Sequence, residues 1–405
     1  MKCRHCKKKL EYTFADLGYA PPSNAYRRLE EIDQPEATFP LVVKVCHHCW
    51  LVQTQDFVAA NEMFSPDYAY FSSVSSGWLK HAKSYVEMIT SKLNLGKDNF
   101  VIEVASNDGY LLKNFVNLGI PCLGIEPTEE TADKARELGI PVMKKFFTED
   151  LANSLSSEGK QADLVIGNNV LAHVPDINDF VKGLEHVLKE DGVVTMEFPH
   201  LLRLIEHCQF DTIYHEHFSY LSLSVVQRIF SHSGLKVFDV EELTTHGGSL
   251  RVYACKKSSP RNASSNVNLI IQSERDNGLQ ELTTYLSFQR KIDNVTEGLV
   301  DFLCTQQKAG KTVIGYGAAA KGNTLLNYAD IKPDLLPAIC DAAPSKQRKY
   351  MPGSNIPIYS PRYLEDQSPD FILILPWNIK QEVKQQLSFL KNTAFVTAIS
   401  KLEID

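Results

Sequence analysis

Two CxxC pairs frame the first fifty residues: "CRHC", with Cys3 and Cys6, and "VCHHCW", with Cys46 and Cys49. A CxxC segment turns tightly enough to aim two thiolates at one point, and two such knuckles complete a tetrahedral zinc site. This is a strict demand on a chain. The 39 residues between Cys6 and Cys46 must loop out and return to their starting point. Four thiolates leave no open coordination position, so the metal is expected to be structural. His5, His47 and His48 stand beside the cysteines as alternative ligands, and the competing reading is four unrelated free thiols. Nine cysteines, with no apolar segment behind the basic start "MKCRHCKKKLEYTF", point to a reducing, cytoplasmic setting.

From residue 78 the hydrophobic pattern changes. "WLKHAKSYVEMITSKL" spaces its apolar residues as an amphipathic helix does. Strand-like runs then alternate with helical ones: "NFVIEVA", "CLGIEP", "ADLVIGNN", "GVVTMEF", and later "LKVFDVEEL" and "SLRVYACKK". That alternation predicts an α/β protein with a doubly wound parallel sheet, covered by helices and closed by an antiparallel pair. A polar linker, "SSPRNASS", leads into long helical patterns, and a second α/β unit opens at "KTVIGYGAAAKGNTLL". The expected division is 1–75, 76–257, 258–310 and 311–405: a zinc domain, a doubly wound domain, a helical connector and a Rossmann-like domain. A net charge of -7 argues against nucleic acid as partner, since phosphate binding wants a basic face. Apolar runs such as "DFILILPW" are too short for a bilayer span of about 20 residues, so no membrane is expected either.

"VIEVASNDGYLL" reads as a strand, a tight loop and a helix start. Loops that hold S-adenosylmethionine place an acid on the strand and then glycines at alternate positions. Glu103 and Gly109 fit that frame, while Ala105 and Asn107 occupy positions where glycine is common. Glu126 ends the next strand, where an acid can accept both ribose hydroxyls. Asn168, Asn169 and His173 fall at the same carboxyl edge, where open α/β sheets bind ligands. Phe146 and Phe147 either flank an adenine ring or pack in the core. The frame favours a class I methyltransferase core over a dehydrogenase or an ordinary βα turn.

The second loop, "VIGYGAAAKGN", sets Gly315, Gly317 and Gly322 between a strand and a helix. Its small residues let a phosphate approach the helix N-terminus, and Lys321 would add a positive charge. Asp341, closing the next strand, is placed to hold a ribose or base. Without the GK[ST] of a P-loop, a phosphate-bearing substrate handle is expected rather than triphosphate hydrolysis. A tight structural turn is the alternative.

In this order the pieces resemble the sugar C-methyltransferase family. The likeness spans essentially the whole chain: the paired CxxC domain, "YAYFSSVSSGW", "IEVASNDGYLL", "GNNVLAHVPD", "YHEHFSYLS", "HGGSLRVY", "GYGAAAKGN" and "PGSNIPI". It implies a zinc-bearing N-terminal domain, a central S-adenosylmethionine domain and a C-terminal domain for the nucleotide of the substrate. It also implies methylation of a nucleotide-linked 4-keto-6-deoxysugar by a monomeric enzyme, with C3 favoured over C5 among the carbons that flank the ketone and the nucleotide left open between dTDP, GDP and UDP. Arg348 departs from the pattern, standing where many relatives carry glycine.

Carried over residue by residue, His217 looks like the base that removes a proton beside the ketone. Glu216 looks like a group that fixes sugar hydroxyls or orients the base. Tyr214 and His173 look like enolate stabilisers, Asn169 like a sugar contact, and Tyr68 like a lid over the substrate. His215, alternating with these, is expected to face away, and "HGGSL" either shapes the pocket floor or is a plain hairpin turn. The plainer readings are a packing role for Tyr68 and a helix cap for His173. At the level of the whole chain they are O- or N-methylation of a small molecule, or a zinc-containing binding protein without catalysis.

Overall fold

The computed structural model describes residues 1–55 and 71–405, so Tyr68 lies outside the described residues. Both cysteine knuckles close in the same way. Lys7 N donates to the Cys3 carbonyl and Trp50 N to that of Cys46, with Lys7 and Trp50 in left-handed backbone. The Sγ atoms of Cys3 and Cys49 are 3.5 Å apart, those of Cys6 and Cys46 also 3.5 Å, and all four lie within 4.8 Å of one another. Thiolates about 2.3 Å from one zinc would stand about 3.8 Å apart, so the cluster has the size of a zinc site. His5 is turned to Asn178 Oδ1 at 2.8 Å, and His47 and His48 pack on one another, which leaves the thiols as the ligand set.

The zinc-binding unit continues as antiparallel strands β1 (Tyr12–Ala20), β2 (Phe39–Val45) and β3 (Val52–Thr54). Their inward residues, Phe14, Val43 and Val45 among them, share one apolar cluster with Phe288 and Ile292 of the helix Phe288–Lys308 and with the C-terminal unit. Phe14 stacks on Phe288 at 4.4 Å, which seats the connector helix on the N-terminal sheet.

The central sheet contains β4 (Val101–Val104), β5 (Cys122–Ile125), β6 (Val142–Met143), β7 (Ala162–Asn168) and β8 (Leu188–Pro199), all parallel. Ser219–Tyr220 forms β9, and β10 (Leu235–Leu243) with β11 (Ser249–Lys256) closes the sheet antiparallel. The spatial order among the described residues is β6-β5-β4-β7-β8-β11-β10. Successive side chains of a strand go to opposite faces. Val101 accordingly joins Tyr85 and Ile89 of the helix Ser76–Leu93, while Ile102 and Val104 join Leu151, Phe180 and Leu184 on the other side. The order reverses at β4, which puts the loop after β4 at the switch point, where such sheets take ligands.

The strand β9 does not join that sheet. It pairs antiparallel with β3, Val52 opposite Tyr220 and Gln53 opposite Ser219, so it is an edge of the zinc-bearing sheet. The C-terminal sheet is built from β12 (Val313–Tyr316), β13 (Ile339–Cys340), β14 (Ile358–Tyr359), β15 (Phe371–Ile374), β16 (Ala394–Thr397) and β17 (Glu403–Ile404). Its order is β14-β13-β12-β15-β16-β17, parallel apart from β17, with its own switch point beside β12. No described helix is long and apolar enough to cross a membrane.

Because a structural zinc contributes folding energy directly, replacing one ligand by Cys46→Ser should lower zinc content well below one ion per chain. The same change should lower the melting temperature by several degrees. Metal analysis and thermal unfolding of the purified variant check both.

Candidate active site

The loop after β4 keeps its glycine-like course without most of the glycines. Ala105, Asn107 and Gly109 have φ of 56°, 50° and 77°, alternating left-handed positions. Side chains in that region cost roughly 1–2 kcal/mol each, and local bonds offset the cost. Asn107 N donates to Glu126 Oε2 at 2.9 Å, and the Asn107 and Asp108 carboxamide and carboxylate accept from Ser72 N and Ser73 N at 2.9 and 3.1 Å. At Gly109 no side chain fits, since a Cβ would come within 2.4 Å of Ile140 Cδ1.

Three acids stand at this loop: Glu103, Asp108 and Glu126. Glu103, fully buried at the end of β4, has neither oxygen in a well-formed hydrogen bond, and burial raises its pKa well above the usual range, with Tyr110 acting the other way. Glu126 accepts from Asn107 N and Thr128 N, and burial raises its pKa too. Among the described residues, no Lys or Arg pairs with Glu103, Asp108 or Glu126 within 4.0 Å. Buried acids without a cation are costly, and a ligand that brings its own positive charge relieves them. The sulfonium and ammonium of S-adenosylmethionine fit this donor set, with Glu126 retaining lone pairs for a ribose diol. Asn168, at the end of β7, donates to the Tyr110 hydroxyl at 3.4 Å, and Trp78 stacks on Tyr110. Phe147 packs in the core against Phe180, whereas Phe146 is exposed, so the two do not form a pair around a ring.

The segment Tyr214–Tyr220 is clamped from two sides. Thr54 N and Oγ1 donate to the carbonyls of Phe218 and His217 at 3.2 and 3.1 Å, and Phe218 N donates to the Ala172 carbonyl at 2.8 Å. The bond to Ala172 draws the segment against the turn Leu171–His173 that follows β7. His217 therefore meets His173 edge-on at 4.6 Å between ring centroids and Tyr214 at 4.0 Å. His217 Nδ1 lies 2.7 Å from the Thr212 carbonyl. A carbonyl only accepts, so Nδ1 carries the hydrogen and Nε2 keeps its lone pair. Burial, aided by His173, Lys321 and His246, holds the His217 pKa well below its ordinary value, so the ring is neutral. Burial lowers His173 in the same way, to about 4.

Thr212 thus fixes the orientation of His217, while Glu216 turns elsewhere. Its carboxylate is buried and accepts from Asn24 Nδ2 at 3.1 and 3.4 Å, and burial raises its pKa to about 7. His215 faces the N-terminal sheet, 3.3 Å from the Phe39 carbonyl. Asn169, in left-handed backbone, donates to His246 Nε2 at 2.9 Å, which ties the "HGG" turn between β10 and β11 to the end of β7.

The second loop is held by its own acid. Asp341, after β13, accepts from Ala318 N and Ala343 N, each at 2.7 Å. Gly317 has φ of 89°, and a Cβ there would meet Pro376 Cδ at 2.4 Å. The Ala318 carbonyl accepts from Lys346 Nζ at 2.8 Å and from Tyr26 of the N-terminal unit at 2.5 Å. Lys321 takes another direction: Nζ donates to Asn378 Oδ1 at 3.0 Å and lies over the Trp377 ring at 4.6 Å. Arg348 has φ of 64°, a left-handed backbone that glycine adopts without strain.

Sequence reasoning missed Asn24, Tyr26, Asp211 and Trp377. Each acts on a residue far along the chain, Asn24 on Glu216 across 192 positions and Trp377 on Asp211 across 166, so no local spacing announces them.

Three family descriptions match the chain in succession: a zinc binding domain over residues 3–64, a methyltransferase domain over 79–240, and a C-methyltransferase C-terminal domain over 244–399. The curated C-methyltransferase NovU of Streptomyces niveus is 31% identical over 392 residues, covering 96% of this chain and 93% of that one. Solved structures with a likeness include magnesium protoporphyrin IX methyltransferase from Synechocystis PCC 6803, at 16% identity and a TM-score of 0.36, covering 45% of this chain and 84% of that one. An S-adenosylmethionine-dependent methyltransferase from Clostridium acetobutylicum shows 12% identity and 0.36, with 46% and 92% covered. The chain belongs to the C-methyltransferase family in which a zinc domain, a methyltransferase domain and a C-methyltransferase C-terminal domain follow one another. It is an S-adenosylmethionine-dependent C-methyltransferase.

The pKa of Glu216 sets a pH dependence. Folding favours the neutral acid, so its contribution is complete below the ordinary value of 4.5 and is lost as pH rises through about 7. Between pH 4.5 and 8 the wild type should lose about 3 kcal/mol relative to Glu216→Gln, read by denaturant unfolding at the two ends.

Proposed function

We propose that this enzyme methylates C3 of a nucleotide-linked 4-keto-6-deoxysugar, with the nucleotide on the loop after β12 and the sugar between His217 and the cofactor loop. His217 carries this reading: a neutral imidazole whose Nδ1–H is committed to Thr212, and whose Nε2 is therefore a proton acceptor. A ketone acidifies the hydrogens on the neighbouring carbons, because the resulting charge spreads onto oxygen. Nε2 takes that proton, and the electron pair moves toward the ketone oxygen. When bound, S-adenosylmethionine supplies the electrophilic methyl group. Tyr214 and His173, packed on the base, supply polar groups beside the developing charge, and Asn169 and Glu216 serve as sugar contacts.

The loop after β4 and the clasp after β12 belong to separate sheets, which suits a substrate with a nucleotide handle at one end and a reacting carbon at the other. His217→Asn should keep S-adenosylmethionine affinity by calorimetry. Turnover and solvent deuterium exchange at the methylated carbon should fall by roughly 10²–10⁴. Exchange at the wild-type rate would remove His217 as the base, and methylation of the 4-hydroxy analogue would make oxygen the acceptor instead of carbon.

A further inference from the structure

Lys321 follows the second glycine-bearing loop, where a lysine would ordinarily serve phosphates. Its surroundings point elsewhere. The helix Ala320–Tyr328 docks on the turn that carries the catalytic segment, because Thr324 Oγ1 donates to the Ile213 carbonyl at 2.8 Å. Lys321 and Thr324 are three residues apart and share a helix face. Ile213 follows Thr212, whose carbonyl fixes His217, and Thr212 follows Asp211, whose Oδ2 accepts from Trp377 Nε1 at 2.7 Å. Trp377 is the ring under the Lys321 ammonium, and it also fills the space beside Gly247, where a Cβ would come within 2.2 Å of it. One turn, residues 210–213, thus anchors both the base and the face that presents the lysine.

The ammonium has work left to do. Its hydrogen bond goes to the neutral Asn378, and no carboxylate lies within 4.0 Å of it among the described residues. Burial lowers the pKa of Lys321, and Asp211 is the acid whose charge opposes that shift; burial raises that acid in turn to about 6. The loop backbone already has a different cation, Lys346, bonded to the Ala318 carbonyl and 3.6 Å from Asp341. Resting on the ketosugar reading above, we infer that Lys321 is a further catalytic residue, donating a hydrogen bond to the ketone oxygen as His217 removes the proton. The C–H pair moves to that oxygen, the lysine keeps its protons, and methylation of the carbon returns the carbonyl.

Lys321→Met, Lys321→Arg and Lys346→Met test this in the full chain. For Lys321→Met, turnover and solvent deuterium exchange at saturating sugar nucleotide should fall roughly 10²-fold or more. Binding of dTDP, UDP and GDP should stay within about twofold by calorimetry. Lys321→Arg should recover part of the exchange, and Lys346→Met should weaken the diphosphate instead. The groups facing His217 are His173, Tyr214, Tyr220, His246 and Lys321; losing the lysine's charge lets the imidazole protonate more easily, so the acid limb of kcat should move to higher pH. Unaltered S-adenosylmethionine binding shows that the variant is folded. A weakened diphosphate with normal exchange at saturation would return Lys321 to the phosphates and overturn the inference. Wild-type rates in Lys321→Met would do the same. A wild type inert toward every nucleotide 4-keto sugar would instead fail the ketosugar reading itself.

Discussion

The pairing of β9 with β3 is the contact on which the site depends. A strand of two residues has little stability of its own. It persists here because Thr54 bonds Phe218 and His217, and because the sheet beneath it is buried and pinned by the cysteine cluster. The four cysteines join the first knuckle to the turn between β2 and β3, and β3 in turn holds the edge that carries His217, while the turn after β7 in the central sheet carries His173.

The two glycine-bearing loops solve one problem in the same way. Each turns through left-handed backbone, at Ala105, Asn107 and Gly109 in one and at Gly317 in the other, and something must hold it there. In each case an acid from the neighbouring strand clasps a loop N–H: Glu126 takes Asn107, and Asp341 takes Ala318. The clasp explains how Asn107 holds left-handed backbone without being glycine, since its bonds offset part of the strain. The N-terminal unit then bridges the two halves, Asn24 reaching Glu216 and Tyr26 reaching the second loop from one short stretch of chain.

Much of this could be read before the fold was known. The two CxxC pairs announced the metal cluster, the alternation of apolar runs announced both doubly wound sheets, and Glu126 and Asp341 were picked out at the strand ends where they sit. Other features resisted. The choice between ring stacking and core packing for Phe146 and Phe147 turned on which side of a loop each faces, and one is exposed while the other is buried. The packing of the helix that carries Lys321 rests on the bond from Thr324 to Ile213, across 111 positions, which no local spacing shows.

What the sequence determined alone was anything carried by local chemistry or period: a thiolate quartet, strand and helix alternation, acids at strand ends, and a heptad too rich in imidazole, phenol and carboxylate to be ordinary surface. The tertiary structure decided orientation. It turned Glu216 toward Asn24, committed one His217 nitrogen to Thr212, and set the Lys321 ammonium on Asn378 and Trp377. Those outcomes depend on side-chain directions between segments far apart in sequence, and a periodicity of two or 3.6 residues contains no information about them.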